Sequence, residues 1–490
     1  MKNYGTRNLP KAPPIFKFTR FRLLFQHQRI AQNFTALMIF ILVFVFALVR
    51  CRIAFSTGQY GVNTSMRFLQ ARHTLAGLDA GSYLEGAISL HDSSFRNSAN
   101  QFIWELWPPG LPLYEALLIL VFGLGAKPLI LLSVTDALLL AGSTSLLWIE
   151  SIKLERKRFS LILLSVLLLS SVVQGWLLDQ GIMYAEGIFV FFLILSSISL
   201  ARFENTKKTR FFYESSFLVG LAAYFRAVGF TCIEVIVLAS LLVGGIGFVL
   251  KVRKTHSAKQ VLRLALDLFK YGCVAFAVTL PWSLFRASWL KLNPVQWVIT
   301  GDSTWKLAWQ SDRDLDKSGW GITRGIDNWA CHLDQIKCKI LSTTKNPQYF
   351  SDGIRVIFRH PIEFLCMRAT AFWDYWTLNG RWLYPPQNRL PVGFAYFEGL
   401  VFLLLVIAAL FLLLTSLTRY PYFSIITLSL IFGSTLPLFV FHLESRYFIP
   451  LKILAIIVVI LHPSSIVNLK KLRIFFSRRM NFFLGSSKSG

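Results

Sequence analysis

Asp79 stands in LDAGSYLEGA, a polar stretch after the first long apolar run, and Trp107-Pro108-Pro109-Gly110 follows it at the start of the next. Asp179, Glu186, Arg226 and the run His442-Leu443-Glu444-Ser445-Arg446 also stand at the ends of apolar segments. An ionisable group costs about 2.5–3.5 kcal/mol at the centre of a membrane helix on insertion scales, so residues of this kind mark a functional site by default. A carboxylate in a partly dehydrated cleft takes a proton from an attacking hydroxyl. A guanidinium offers a planar pair of donors that fits phosphate oxygens. Asp79 is the reactive-looking acid of this set.

The elements that position these residues follow from composition. Of 490 residues, 54% are hydrophobic and only 16% charged, with 44 Phe and 14 Trp, which no soluble surface accommodates. The expectation is an all-α polytopic membrane protein. Residues 30–49 carry no charge and are long enough to cross a hydrocarbon core of about 30 Å. The segment 1–29 is basic and no small-residue cleavage site follows, which predicts an uncleaved signal anchor with a cytoplasmic N-terminus. The net charge of +26 is scattered through short loops rather than gathered on a soluble face, which argues against nucleic acid as a partner.

Placing the basic clusters around 153–158, 202–210, 251–263 and 470–479 in the cytoplasm gives one topology of about ten crossings. The expected spans are 30–49, 111–149, 159–178, 182–201, 214–231, 233–250, 265–285, 395–418, 420–441 and 447–462. Gly123, Gly125 and Lys127-Pro128 interrupt 111–149, which can be a broken helix or contain a re-entrant piece. The pair 214–231 and 233–250 can instead be a single kinked span. The resulting organisation is a basic N-terminus (1–29), a module of 30–285 with a first external loop at 55–110, a Trp-rich external loop (286–394), a C-terminal three-span module (395–462) and a basic tail (463–490). Under it, Asp79, Asp179, Glu186, Arg226, Glu444 and Arg446 share the external face.

Structural readings stand beside the chemical ones. Asp79 can cap a short helix. Glu186 and Arg226, or Glu444 and Arg446, can form ion pairs between neighbouring span ends. The Pro-Pro-Gly run reads as a turn that sets the angle of the next span, and Glu85 as an exposed helical position. Asp136, inside an expected span, is either bonded to a neighbour or marks a break. Tryptophans favour the membrane interface, and 355–376 (RVIFRHPIEFLCMRATAFWDYW) reads as an amphipathic segment against lipid head groups, with Ile357, Ile362, Leu365, Phe372, Trp373 and Trp376 at helical spacing and Arg355, Arg359 and Arg368 interleaved. Cys331 and Cys338 can pair in an oxidising compartment, and C-x6-C with one nearby His332 is weak as a metal site. No metal site is expected.

LDAGSYLEGA, WPPGLPLYEALL, YAEGIFVFFLILSSISLAR, GLAAYFRAVGF, LPWSLFR, HPIEFLCMRATAFW and ESRYFIPL, taken in order, resemble the integral-membrane glycosyltransferases of the GT-C fold. The nearest likeness is to the dolichyl-phosphate-mannose-protein mannosyltransferase and aminoarabinose-transferase group. The resemblance implies a GT-C fold of about seven core spans and further C-terminal ones. It implies a polyprenyl-phosphate sugar as donor, no cofactor, and a site on the periplasmic or luminal side, for a bacterium the outer face of the inner membrane. It implies Asp79 at the catalytic acid position, Arg226 at a polar position between spans and Glu444-Ser445-Arg446-Tyr447 as a late motif. With such a donor Asp79 is the candidate general base, Arg226, Arg286, Arg355, Arg359, Arg381 and Arg446 are the candidate ligands of the donor phosphate, and Tyr83, Glu186, His442 and Glu444 are candidates for sugar or acceptor contacts. Ala80 stands where protein-mannosylating members often carry a second acid, which counts against a protein acceptor. A polysaccharide polymerase or ligase and a lipid-glycan transporter are the alternatives; the first predicts a late Arg- and His-rich loop, the second mid-membrane polar groups in two related halves.

Overall fold

The structure is a computed structural model that describes residues 31–49, 79–94, 104, 108–170, 173, 185–253, 257–291, 361–362, 372–373, 376–377, 392–440 and 448–463. Among these residues every regular element is helical, and five helices are long and apolar enough to cross a membrane. The chain is an all-α protein of membrane character. Its helices are α1 (Ala31–Val49), α2 (Asp79–His91), α3 (Gly110–Phe122), α4 (Lys127–Lys153), α5 (Lys157–Leu169), α6 (Ala185–Thr206), α7 (Thr209–Ala223), α8 (Ala227–Val252), α9 (Ala258–Phe285), α10 (Val392–Thr415), α11 (Pro421–Val440) and α12 (Ile449–Leu461).

The expected span 111–149 is two helices that fold back on each other. Gly123, at φ +74°, ends α3 in a conformation that side chains resist, and its N–H caps Ile119 at 2.7 Å. Lys127-Pro128 then opens α4, where a missing N–H breaks no helical bond. The Tyr114 and Thr135 hydroxyls meet at 2.5 Å, although a straight helix would hold them about 31 Å apart. Of the two, only α4, 27 residues long, has spanning length. Asp136 lies within unbroken α4 and is buried.

A second boundary also moves. The break expected near residue 232 lies at Tyr224–Arg226, where Arg226 is extended (φ −140°, ψ 133°) between α7 and α8. Ser216 bonds Tyr271 of α9 and Tyr224 donates to Val278 at 2.9 Å, so α7 runs parallel to α9. Val237 meets Gly272 and Leu262 meets Gly247, so α8 runs antiparallel to α9. The pair α7 and α8 is therefore a hairpin and not one kinked span. Glycine is what lets these helices approach: a Cβ on Gly272 would lie 2.6 Å from the Val237 side chain.

Burial separates the helices by role. Every residue of α12 from Ile449 to Leu461 is buried, the pattern of a helix apolar all round at the centre of a bundle. By contrast, α8 exposes Leu238, Leu241, Leu242, Ile246 and Val249 at helical spacing, a face suited to lipid. Of the segment read as amphipathic, most lies outside the described residues; Trp373 and Ile362 are exposed and Trp376 is buried. Its indole donates to the Gly399 carbonyl of α10 at 2.7 Å, and Lys452 of α12 donates to its carbonyl at 3.2 Å, so this indole docks helices together instead of facing head groups.

Candidate functional site

The basic clusters at 153–158 and 202–210 meet at one end of the bundle. There Glu150 pairs with Arg202 and Lys153, each at 2.6 Å, and Glu204 pairs with Lys207 and accepts the Phe423 N–H at the start of α11. Arg156 donates to the Val459 and Ile460 carbonyls at the end of α12, satisfying acceptors that a helix terminus leaves open.

The candidate site lies at the opposite end, and Gly110 is its hinge point. The Gly110 N–H donates to the Tyr224 carbonyl at 2.7 Å, and a Cβ at this position would lie 2.6 Å from that oxygen. Only glycine lets the start of α3 sit on the α7–α8 turn. The Pro-Pro-Gly run is thus a structural device, as its turn reading expects. Burial raises the pKa of the Tyr224 phenol, which stays a neutral donor to Val278.

Beside this contact, Arg226 and Glu186 form a 3.0 Å ion pair, both buried. Arg226 precedes α8 and Glu186 lies in the first turn of α6, so the pair joins two helix starts. The acid sits where the helix dipole favours negative charge. Arg286 is 1% exposed and donates to the Trp104 carbonyl. It opens a π-helical turn, Arg286–Leu290, after Pro281 has removed a backbone donor from α9, and Lys291 ends that turn at φ +58°. Widened turns of this kind often occur at functional sites.

Trp282 lies one helical turn before Arg286, with its ring centroid 5.6 Å from that of Trp104. Both indoles are buried, and among the described residues neither N–H has a hydrogen-bond partner. Buried indole donors are usually satisfied, so two that find no acceptor among the described residues are open to an acceptor oxygen from outside the chain.

Asp79 is the first residue of α2, and its side chain lies outside the described residues. Tyr83 follows one turn later, fully buried against α3, while Glu85 is partly buried. Arg355, Arg359, Arg381, His442, Glu444 and Arg446 lie outside the described residues, as do Asp179, Cys331 and Cys338. Of the candidates read from sequence, the structure joins Glu186 to Arg226 and sets Arg286 against Trp104. Trp104, Trp282 and Glu115 were missed. The i,i+4 spacing of Trp282 and Arg286, and a lone acid in LPLYEALL, were the available signals. Among the described residues no cluster of His, Cys, Asp or Glu could hold a metal ion. Neither a protein-family model nor a curated protein matches the chain.

Proposed function

We propose that the chain is a GT-C-type glycosyltransferase of about ten crossings that moves a sugar from a polyprenyl phosphate to an acceptor hydroxyl at the external membrane face. The observation that carries this reading is the pair of buried Trp104 and Trp282 indoles, whose N–H groups find no acceptor among the described residues, beside Arg286, which donates to the Trp104 carbonyl. Open donors of this kind suit a departing lipid phosphate in a setting where water does not compete.

In this reading Asp79 accepts the proton of the acceptor hydroxyl as its oxygen bonds to the anomeric carbon. The bond from that carbon to the phosphate oxygen breaks, and its electrons leave with the polyprenyl phosphate. Arg286 and the indole N–H groups receive that charge. Attack opposite the phosphate inverts the anomeric centre, so one base suffices, unlike the paired carboxylates of glycoside hydrolysis. The Glu186–Arg226 pair holds the starts of α6 and α8 together, which keeps the pocket in shape.

The test is transfer of radiolabelled sugar from polyprenyl-phosphate hexoses to endogenous acceptors in membranes containing the full chain. Wild-type protein transfers sugar and Asp79→Asn, which keeps size while removing the base, does not. Transfer by Asp79→Asn at the wild-type rate would sink the proposal.

A further inference from the structure

Glu115 lies on α3 and is fully buried, and among the described residues neither of its carboxyl oxygens has a hydrogen-bond partner and no cation pairs with it. Its helical neighbours Leu111, Leu118 and Ile119 all pack in one cluster with Tyr83, Leu84, Ala87 and Ile88 of α2 and with Ala185 and Ile188 of α6. Those positions are one turn away on the same face, so the carboxyl is directed into that cluster. Ala185 and Ile188 flank Glu186, and Gly110, at the start of α3, is bonded to the turn that ends in Arg226.

A buried acid with both oxygens unfilled destabilises the fold, and a leucine would fill the same space without that penalty. Such a group makes physical sense where a second state of the protein completes its hydrogen bonds. A carboxyl kept neutral by burial both donates, through its O–H, and accepts, through its carbonyl oxygen. A sugar brings neutral hydroxyls that also do both, so two neighbouring hydroxyls can complete one carboxyl at once. The helix that carries Glu115 packs along α2, which begins at Asp79.

Resting on the glycosyltransferase reading, we propose that Glu115 binds hydroxyls of the donor sugar, its bonds forming when the sugar enters between α2 and α3. The phosphate is held by Arg286 and the indoles, and Glu115 distinguishes a sugar-bearing lipid from a bare one.

The experiment compares full-length wild type, Glu115→Gln and Glu115→Leu in detergent, each titrated with polyprenyl phosphate and with polyprenyl-phosphate glucose, mannose and galactose. For wild type, at least one sugar-bearing lipid binds more tightly than polyprenyl phosphate. Glu115→Leu raises the ligand-free Tm by a few degrees, about 2–4 °C, because an unfilled polar group is gone. The same variant binds polyprenyl phosphate as wild type does but loses about tenfold of the affinity that the sugar adds. Glu115→Gln, which still accepts through one oxygen, falls between. An intact sugar-dependent gain in Glu115→Leu would overturn the inference while wild-type transfer activity left the enzyme reading standing. A wild type that binds none of these lipids overturns both.

Discussion

At the basic end of the bundle Glu150 is held by Arg202 and Lys153, and Glu204 by Lys207 and a backbone N–H. At the opposite end, among the described residues, Glu115 accepts nothing and the Trp104 and Trp282 indoles donate to nothing, though all three are buried. Both ends place polar groups among apolar helices, and among the described residues only the first satisfies all the side chains named here. A completed pair fixes where helices sit. An uncompleted one is tolerated where a bound molecule completes it, because an unmade buried hydrogen bond is more expensive than a made one is stabilising. Glu186 with Arg226 shows that the second end also contains finished pairs, so proximity to the site alone does not explain the vacancies.

The sharpest way to separate the two ends is to change one residue in each. Asp79→Asn is expected to lower sugar transfer by about 100-fold or more, with Tm near that of wild type. Trp282→Phe together with Trp104→Phe keeps the rings and removes the N–H donors; the dissociation constant for polyprenyl phosphate should rise by about tenfold, since bonds to a charged acceptor are among the stronger ones. An unchanged constant would reassign the indoles to core filling.

Glu150→Gln tests the other end. It leaves Arg202 and Lys153 without their anion, so Tm should drop by about 2–4 °C while affinity for polyprenyl phosphate stays at the wild-type value. A loss of ligand affinity without a loss of stability would erase the distinction between the ends.

The smallest effect concerns His462, just past α12, whose Nε2 lies 2.8 Å from the Ser416 hydroxyl. Burial, with Arg156 adding to it, lowers its pKa to about 4. The unfolded imidazole titrates near pH 6.5, so above that both states are neutral and no penalty exists. As pH falls from about 6.5 towards 4 the unfolded chain binds a proton that the folded chain refuses, and stability declines. Melting curves between pH 7.5 and 5 should show this decline in wild type and a flatter profile in His462→Gln.

Where a helix forms was largely readable from residue order. The run 30–49 became Ala31–Val49, and 395–418 became Val392–Thr415, because long, strongly apolar stretches leave few alternatives in a membrane. Gly123 and Lys127-Pro128 announced a break, but whether the chain continued or reversed after it depends on a contact between Tyr114 and Thr135 that no local pattern contains. The same holds for the site. Glu186 with Arg226 was legible as one alternative, since opposite charges at neighbouring span ends invite pairing.

Amino-acid order by itself determined the apolar, helical, membrane-suited character of the chain, since hydropathy acts locally along it. Tertiary structure alone decided that α3 turns back, that Gly110 meets Tyr224, and that Glu115, Trp104 and Trp282 are buried without partners among the described residues. Burial and hydrogen-bond completion depend on which helices become neighbours, and that is settled only when distant segments close around one another.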